Sequence, residues 1–386
     1  MKKTNAVLSG GGITIFEVMS RLAVEHGAVN LGQGFPDRNG PDDVRAKAQE
    51  YLADQPNQYP SAMGVADLRH AVAAHDKRFY GLDVDPLREV LVTSGATEAL
   101  ASAFFGLLDA GDEAIVFEPV YDSYAPIIQR AGAAIKRIRL EPPHWDIPRA
   151  DLAAAFSPRT KLIVINSPAN PSGKVFSTDE LSFIADLVKK FDAYVVCDEV
   201  YEHLVFDRHV HTPIMTLPGM RERCLKIGSA GKTFSLTGWK VGYITAAPHL
   251  LQAAAKAHQF LTFTTPPNLQ RAVAYGLNKD DGYFADLSSA MSRKRDILAA
   301  GLRDVGFEVL DTQGTYFICA DIRPLKTGLT DVDFCRELTI NGKVTAIPIS
   351  AFYESNGPQH FVRFAFCKDD ATLHTAIARL KAYFQR

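Results

Sequence analysis

The chain holds five cysteines in 386 residues: Cys197, Cys224, Cys319, Cys335 and Cys367. Their number is odd, they are widely scattered, and no C-x-x-C pair occurs, so neither a disulfide framework nor a zinc site is indicated. Reduced thiols of a cytoplasmic protein are the expectation. Long apolar runs are missing too. The most apolar helical stretch, Ala99 to Leu108 (ALASAFFGLL), falls far short of the roughly 20 residues that a membrane span needs. The opening MKKTNAVLSGGGITIF has two lysines but no apolar core of signal-peptide length. Charge of one sign is also absent: 42 Lys plus Arg stand against 44 Asp plus Glu, a net charge of −2 with the signs well mixed. Nucleic acid and membrane surfaces are therefore not expected as partners.

Several motifs fail on inspection. AGKT resembles the end of a phosphate-binding P-loop, but Lys226 stands where its first glycine belongs. The run Gly10 to Gly12 is no dinucleotide fingerprint, because Ile15 replaces the last glycine. GSAG is no nucleophile elbow, since Ile227 takes the first glycine's place. No His, Asp or Glu cluster has metal-ligand spacing along the chain, so no metal is expected.

The material that is present is ordinary for a folded protein, 47% hydrophobic and 22% charged, and long enough for two or three domains at about 100–200 residues each. From about Glu89 to Ala247, short β-rich runs (EVLVTSG, EAIVFEP, AIKRIRL, KLIVINSP, YVVCDEV, CLKIGSAG, VGYITAA) alternate with helical patterns such as TEALASAFFGLL and TDELSFIADLVKKF. That alternation predicts an α/β fold: a large domain with a mostly parallel central sheet covered by helices on both faces. A long helical pattern from about Tyr283 to Val305, the strands FEVLDTQGTYFICADI, KVTAIPIS and HFVRFAF, and a closing helix predict a smaller α+β domain, joined by the turn-rich N-terminal arm. The expected division is 1–44 for the arm and part of the small domain, 45–282 for the large domain and 283–386 for the rest of the small one.

Polar residues collect at the ends of the predicted strands, where ligands sit in such sheets. LVTSGAT ends a strand and opens a helix, so the amides of Ala96 and Thr97 offer an anion site backed by the helix dipole, or simply a capped Gly turn. INSPANPSG carries Asn170 beside a proline. VVCDEVY places Asp198 and Tyr201 at the end of an apolar strand, a costly position for an unpaired carboxylate. IGSAGKTFSLTGWKVGY sets Lys232 and Lys240 among hydroxyls and small residues. HFVRFAF holds Arg363 in the middle of an apolar strand, where a guanidinium wants a carboxylate in bidentate contact. Together they suit pyridoxal phosphate chemistry on an α-amino acid, which needs a Schiff-base lysine and an acidic group for the pyridinium nitrogen.

The order and local words NLGQGFPD, NQYPSAMG, SPANPSGKV, CDEVYEHLVF, SAGKTFSLTGWKVGY, GTYF and VRFAFCKD resemble the class I/II, fold-type I pyridoxal-phosphate aminotransferases. The resemblance is closest to the bacterial methionine aminotransferases and the kynurenine/glutamine aminotransferase group, and it runs from about Gly32 to Asp369. It implies that Lys232 carries the cofactor and later moves the proton. It further implies that Ala96, Thr97, Ser229 and Lys240 contact the phosphate, and that Tyr121 stacks on the ring. Asp198 then holds the ring nitrogen, Asn170 and Tyr201 reach the ring's phenolic oxygen, and Arg363 with the Gly34 backbone takes the substrate carboxylate. Tyr59 matches a tyrosine that reaches the neighbouring subunit's phosphate, which implies a homodimer with shared sites. Dicarboxylate-specific relatives use a further cation, for which the arm has no matching arginine. Ile13, Phe16 and Phe263 suit an apolar, thioether or aromatic side chain instead. Ile13, Thr14 and Ile15 stand where kynurenine-type members carry a tryptophan, which counts against kynurenine. The resulting expectation is a ping-pong aminotransferase for methionine or aromatic amino acids. Its alternatives are a β-lyase and an aminotransferase for N-succinyl-diaminopimelate. A PLP-sensing regulator would need a DNA-binding segment ahead of the arm, and retention of Lys232, Asp198 and Arg363 speaks against a fold that lost its chemistry.

Overall fold

The computed structural model describes residues 2, 4–9 and 12–385; Gly10 and Gly11 of the glycine run lie outside them. After a helix from Ile15 to Glu25, capped by the Thr14 side chain, comes the short strand β1 (Val29–Asn30). The central sheet then forms from β2 (Val90–Thr93), β3 (Glu113–Glu118), β4 (Ala134–Arg139), β5 (Thr160–Asn166), β6 (Tyr194–Asp198), β7 (Cys224–Ser229) and β8 (Gly242–Ala246). Its spatial order is β2-β8-β7-β6-β5-β3-β4. β3 to β7 run parallel, whereas β8 lies antiparallel to both β2 and β7.

Strand periodicity sorts the side chains onto two covered faces. Leu162 and Val164 of β5 pack with Leu100 and Phe104 of the helix Gly95–Leu107 and with Leu250 and Leu251 of the helix Pro248–Leu261. Their neighbours Ile163 and Ile165 join Leu181, Ile184 and Val188 of the helix Thr178–Lys190 on the other side. A period of two gives this alternation, and burial on both faces explains the continuous apolar strands seen in the sequence. The helix Thr178–Lys190 starts sharply because Ser177 and Glu180 form a reciprocal capping box.

The C-terminal unit follows the 25-residue helix Asp281–Val305, whose N-terminus is capped by Asp280. β9 (Glu308–Val309), β10 (Phe317–Asp321), β12 (Ile347–Pro348) and β13 (Phe361–Ala365) make an antiparallel sheet in the order β12-β13-β10-β9. The expected single strand KVTAIPIS is instead two. β11 (Val344–Thr345) pairs with β1 of the N-terminal arm, and β12 joins the four-stranded sheet. Pro348 has no amide hydrogen to give, which suits β12 to the sheet's edge.

Among the described residues no helix is long and apolar enough to cross a membrane, and all five cysteines are buried and free.

Ile163 is fully buried in a central strand, so Ile163→Ala leaves a cavity between the sheet and the helix Thr178–Lys190. Its expected cost is about 2–5 kcal/mol of unfolding free energy, read as a lower denaturant midpoint with cofactor uptake retained.

Candidate active site

Strand register brings the polar residues to one edge of the sheet. Asn166 at the end of β5 stands level with Asp198 at the end of β6. Ser229 at the end of β7 pairs with Gly242 of β8, which in turn pairs with Thr93 at the end of β2. A cavity of about 380 Å³ opens above these ends and is closed from the other side by the arm and the small sheet. Ala96, Thr97, Tyr121, Asn170, Asp198, Tyr201, Ser229, Lys232, Lys240, Gly34, Arg363 and Phe16, all singled out in the sequence, line this one cavity.

At one end lies a cradle for an anion. The helix Gly95–Leu107 begins there, and the amides of its first turn have no carbonyl partner within the helix. A Cβ placed on Gly242 would sit 2.6 Å from the Gly95 carbonyl carbon and 2.8 Å from the Ala96 nitrogen, so only glycine lets β8 come this close to the helix start. A Cβ on Gly95 would lie 3.2 Å from the Lys240 amine, which therefore hangs over the same amides. Gly95 and Lys240 both have positive φ, +75° and +52°. The Ser229 hydroxyl makes no capping bond to the short helix Ala230–Thr233 and faces the cavity. Amides, a hydroxyl and an ammonium around a space that a Cβ would fill match a phosphate group.

Asp198 sits deeper and is buried. Its Oδ2 accepts from the Tyr124 hydroxyl at 2.5 Å, while Oδ1 has only a long 3.5 Å contact with the Val200 amide. Burial pushes its pKa up, against the pull of Tyr124, the Val200 amide and Lys232. A carboxylate half-satisfied in this way fits a cationic N–H coming from the cavity, such as that of a pyridinium ring. The Lys232 amine donates to the Tyr316 hydroxyl at 2.6 Å. Burial first, and then Arg363 and Lys240, bring its pKa down to about 8, opposed by Cys367 and Asp198. Tyr121 is pushed up to about 12, chiefly by burial.

Arg363 is 1% exposed in the middle of β13. Nη1 donates to Asn170 Oδ1 at 2.7 Å and Nη2 to the Gly32 carbonyl at 2.6 Å, and Nε has no partner. The guanidinium lies 3.9 Å from the Phe317 ring centre, with Phe16 and Phe352 farther out. Burial lowers its pKa to about 10. No carboxylate pairs with it among the described residues, so it remains a built receptor for one.

Three expected residues stand elsewhere. Ile13 is 61% exposed just ahead of the capping Thr14 and does not line the cavity. Tyr59 and Phe263 pack edge to face at 5.5 Å on the outside of the chain, with Tyr59 83% exposed. Conversely, Tyr124, Tyr316, Phe317, Asn166 and Gln33 belong to the site or its support and were passed over. Tyr316 lies inside the word GTYF, and three-residue spacing after Tyr121 is the one local sign of Tyr124.

Folding also gathers a cluster that spacing along the chain could not show. Ligand atoms of His75, Glu202 and His203 all lie within 4.8 Å of one another. The two imidazoles share a 2.7 Å contact between their Nε2 atoms, and Glu202 is already held by Lys226 and Tyr80, each at 2.8 Å.

A cradle for phosphate, a buried carboxylate for a ring nitrogen, a lysine of lowered pKa and an arginine awaiting a carboxylate define an amino-acid enzyme of the pyridoxal phosphate type. Comparison with known proteins agrees. Residues 26–380 match the family "Aminotransferase class I and II". The chain is 45% identical over 385 residues to a probable N-succinyldiaminopimelate aminotransferase of Mycobacterium tuberculosis, covering 97% of this chain and 96% of that one. It is 40% identical over 370 residues to the methionine aminotransferase of Escherichia coli, covering 96% of each. The solved structure of N-succinyldiaminopimelate aminotransferase from Mycobacterium tuberculosis superposes with a TM-score of 0.96 at 44% identity, covering 99% of this chain and 100% of that one. The chain belongs to the class I and II aminotransferases and is a PLP-dependent aminotransferase of fold type I.

With its pKa near 8, Lys232 is expected to react with acetic anhydride in the cofactor-free protein with a half-maximal rate near pH 8. Surface lysines should follow a midpoint near 10.4. The sign for stability follows: between pH 8 and 10.5 the unfolded chain holds the extra proton, so this group adds stability as pH rises. Lys232→Met is accordingly expected to melt a few degrees higher than wild type at pH 7, and peptide mapping with thermal melts checks both outcomes.

Proposed function

We propose that this aminotransferase takes its amino group from methionine or an aromatic L-amino acid and passes it to a 2-oxo acid by a ping-pong mechanism. The observation that carries the reading is the lining around Arg363. Phe16, Phe35, Tyr121 and Phe317 surround the space, and among the described residues the basic ones of the cavity are Lys232, Lys240 and Arg363. Each of these three already has a task, so no cation is left for a second carboxylate on the substrate side chain. The named activity of the Escherichia coli relative supports the same choice.

In this reading Arg363 grips the α-carboxylate and the Gly34 backbone closes over it. Ala96, Thr97, Ser229 and Lys240 would hold the cofactor phosphate, and Tyr121 would lie against its ring. Pyridoxal phosphate, when bound, supplies a ring that accepts the electron pair left by removal of the α-proton. Asp198, fixed in place by Tyr124, would keep the ring nitrogen protonated. Asn170 and Tyr201 would orient the phenolic oxygen. Lys232, when not bonded to the cofactor, would take the substrate α-proton on Nζ and hold it for return. Its lowered pKa leaves a useful fraction unprotonated near neutrality, as a general base requires.

The same reading divides the chain into a cofactor-binding unit of residues 45–282 and a small unit of residues 1–44 with 283–386, which the pairing of β1 with β11 supports. It places the enzyme in the cytoplasm, in keeping with five free cysteines. Two chains form a homodimer with shared sites through the face that carries Tyr59, Phe260, Leu261 and Phe263, all exposed in the single chain. Apolar surface gathered in this way is the mark of an interface. Sedimentation equilibrium is expected to give twice the chain mass of 42.3 kDa; a monomer with full activity would refute the shared site.

The substrate is tested in the half-reaction. Borohydride reduction followed by peptide mapping is expected to place the cofactor on Lys232. Single L-amino acids are then added to the loaded enzyme without an acceptor. Methionine or phenylalanine should shift the cofactor band with release of one 2-oxo acid per site, and aspartate should not. A second reading rests on the 45% identical relative. If N-succinyl-diaminopimelate shifts the band faster than methionine, that reading replaces ours, and pyruvate with ammonia in place of amine transfer would make the enzyme a β-lyase.

A further inference from the structure

Tyr316 stands between two parts of the site that come from distant stretches of the chain. It is 1% exposed and immediately precedes β10. Its hydroxyl donates to the Gly34 carbonyl of the arm at 2.5 Å and accepts from the Lys232 amine at 2.6 Å. A phenol has one hydrogen to give, so with that hydrogen on Gly34 its oxygen is committed to receiving from the lysine. The ring is held on two sides, edge to face against Tyr201 at 5.1 Å and against Phe317 at 4.8 Å. Gly34 is pressed onto the same pair: a Cβ there would lie 2.4 Å from the Phe317 ring and 3.0 Å from that of Tyr316. The hydroxyl therefore has little room to move, and it fixes a backbone carbonyl and an amine to each other.

We propose that Tyr316 is a positioning residue that holds the free amine of Lys232 while tying it to the Gly34 loop, so that placing the base and closing the arm are one event. The proposal rests on Lys232 being the cofactor lysine. A free amine on four methylenes has many rotamers, and a fixed acceptor selects the one that leaves Nζ beside the reacting carbon. The other groups facing that amine are Asp198 on β6, Tyr201 beyond it, Lys240, Arg363 on β13 and Cys367 after it. Among these, Arg363 and Lys240 repel its charge and burial disfavours it, whereas the Tyr316 oxygen accepts most strongly from the protonated amine and so works against them.

The test uses full-length protein loaded with pyridoxamine phosphate, the form in which Lys232 is not bonded to the cofactor. Wild type and Tyr316→Phe are labelled with acetic anhydride across pH 6 to 10, and Lys232 is followed by peptide mapping. Removing an acceptor of the charged form should move the Lys232 midpoint downward by about one pH unit, roughly tenfold in the proton equilibrium. Hydrogen exchange of the Gly32–Asp37 amides should speed up several-fold, because the Gly34 carbonyl loses its donor. A midpoint that stays put overturns the positioning of the lysine, even if turnover falls. Unchanged loop exchange overturns the coupling to the arm. If Tyr316→Phe does not fold, wild-type protein carries the test against Lys232→Met. Loop exchange, corrected for its intrinsic pH dependence, should then step across the lysine midpoint in wild type and lose that step in the variant; a step in both, or in neither, overturns the proposal. Borohydride mapping to another lysine would instead defeat the cofactor assignment, an outcome separable from these.

Discussion

Everything in this site follows from keeping Asp198 and Lys232 close without letting them neutralise each other. A buried carboxylate and a neighbouring amine would ordinarily pair, because each is costly to strip of water. Here the carboxylate is engaged by the Tyr124 hydroxyl and the amine by that of Tyr316. Two phenols separate two charges, and both are left with capacity for a guest. Burial raises the Asp198 pKa and lowers that of Lys232, and their mutual attraction does not cancel either shift. A ring that presents a cationic N–H to one group and an aldehyde carbon to the other relieves both strains together.

The sheet makes such an arrangement possible because its strands end near one another. Asn166 stands level with Asp198, while Ser229, two residues past the Ile227 that pairs with Asp198, stands level with Gly242. The reversal of β8 matters for the same reason: running against its neighbours, it begins where they finish. Lys240 and Gly242 thus reach the phosphate end of the cavity from the start of a strand rather than from its close.

Much of this was legible in the sequence because charge in an apolar strand is conspicuous. Asp198, Lys232 and Arg363 stand out against their neighbours, and the alternation of strands and helices carried the α/β architecture. Other features depended on long-range pairing, which no local pattern records. KVTAIPIS reads as one strand, yet its halves join two sheets because β1 arrives from the arm to claim Val344 and Thr345. No local pattern marks Tyr124 or Tyr316, and only the approach of Asp198 and Lys232 gives their hydroxyls meaning. Ile13 misled because apolar character in an arm does not distinguish a pocket wall from a residue left outside a helix cap. Similarly, His75 meets the adjacent pair Glu202 and His203 only after folding.

The fixing of Arg363 has a kinetic consequence. Asn170 and Gly32 hold two of its nitrogens, and Phe317 holds its plane, so the guanidinium has lost its rotational freedom before any amino acid arrives. A flexible cation would have to surrender that freedom at every encounter, twice in each ping-pong cycle, and would capture its ligand more slowly by the fraction of time it pointed elsewhere. With Arg363 in the role we propose for it, an arm whose Gly32 carbonyl keeps the guanidinium oriented contributes to the rate of capture for donor and acceptor alike, whatever side chain each one carries.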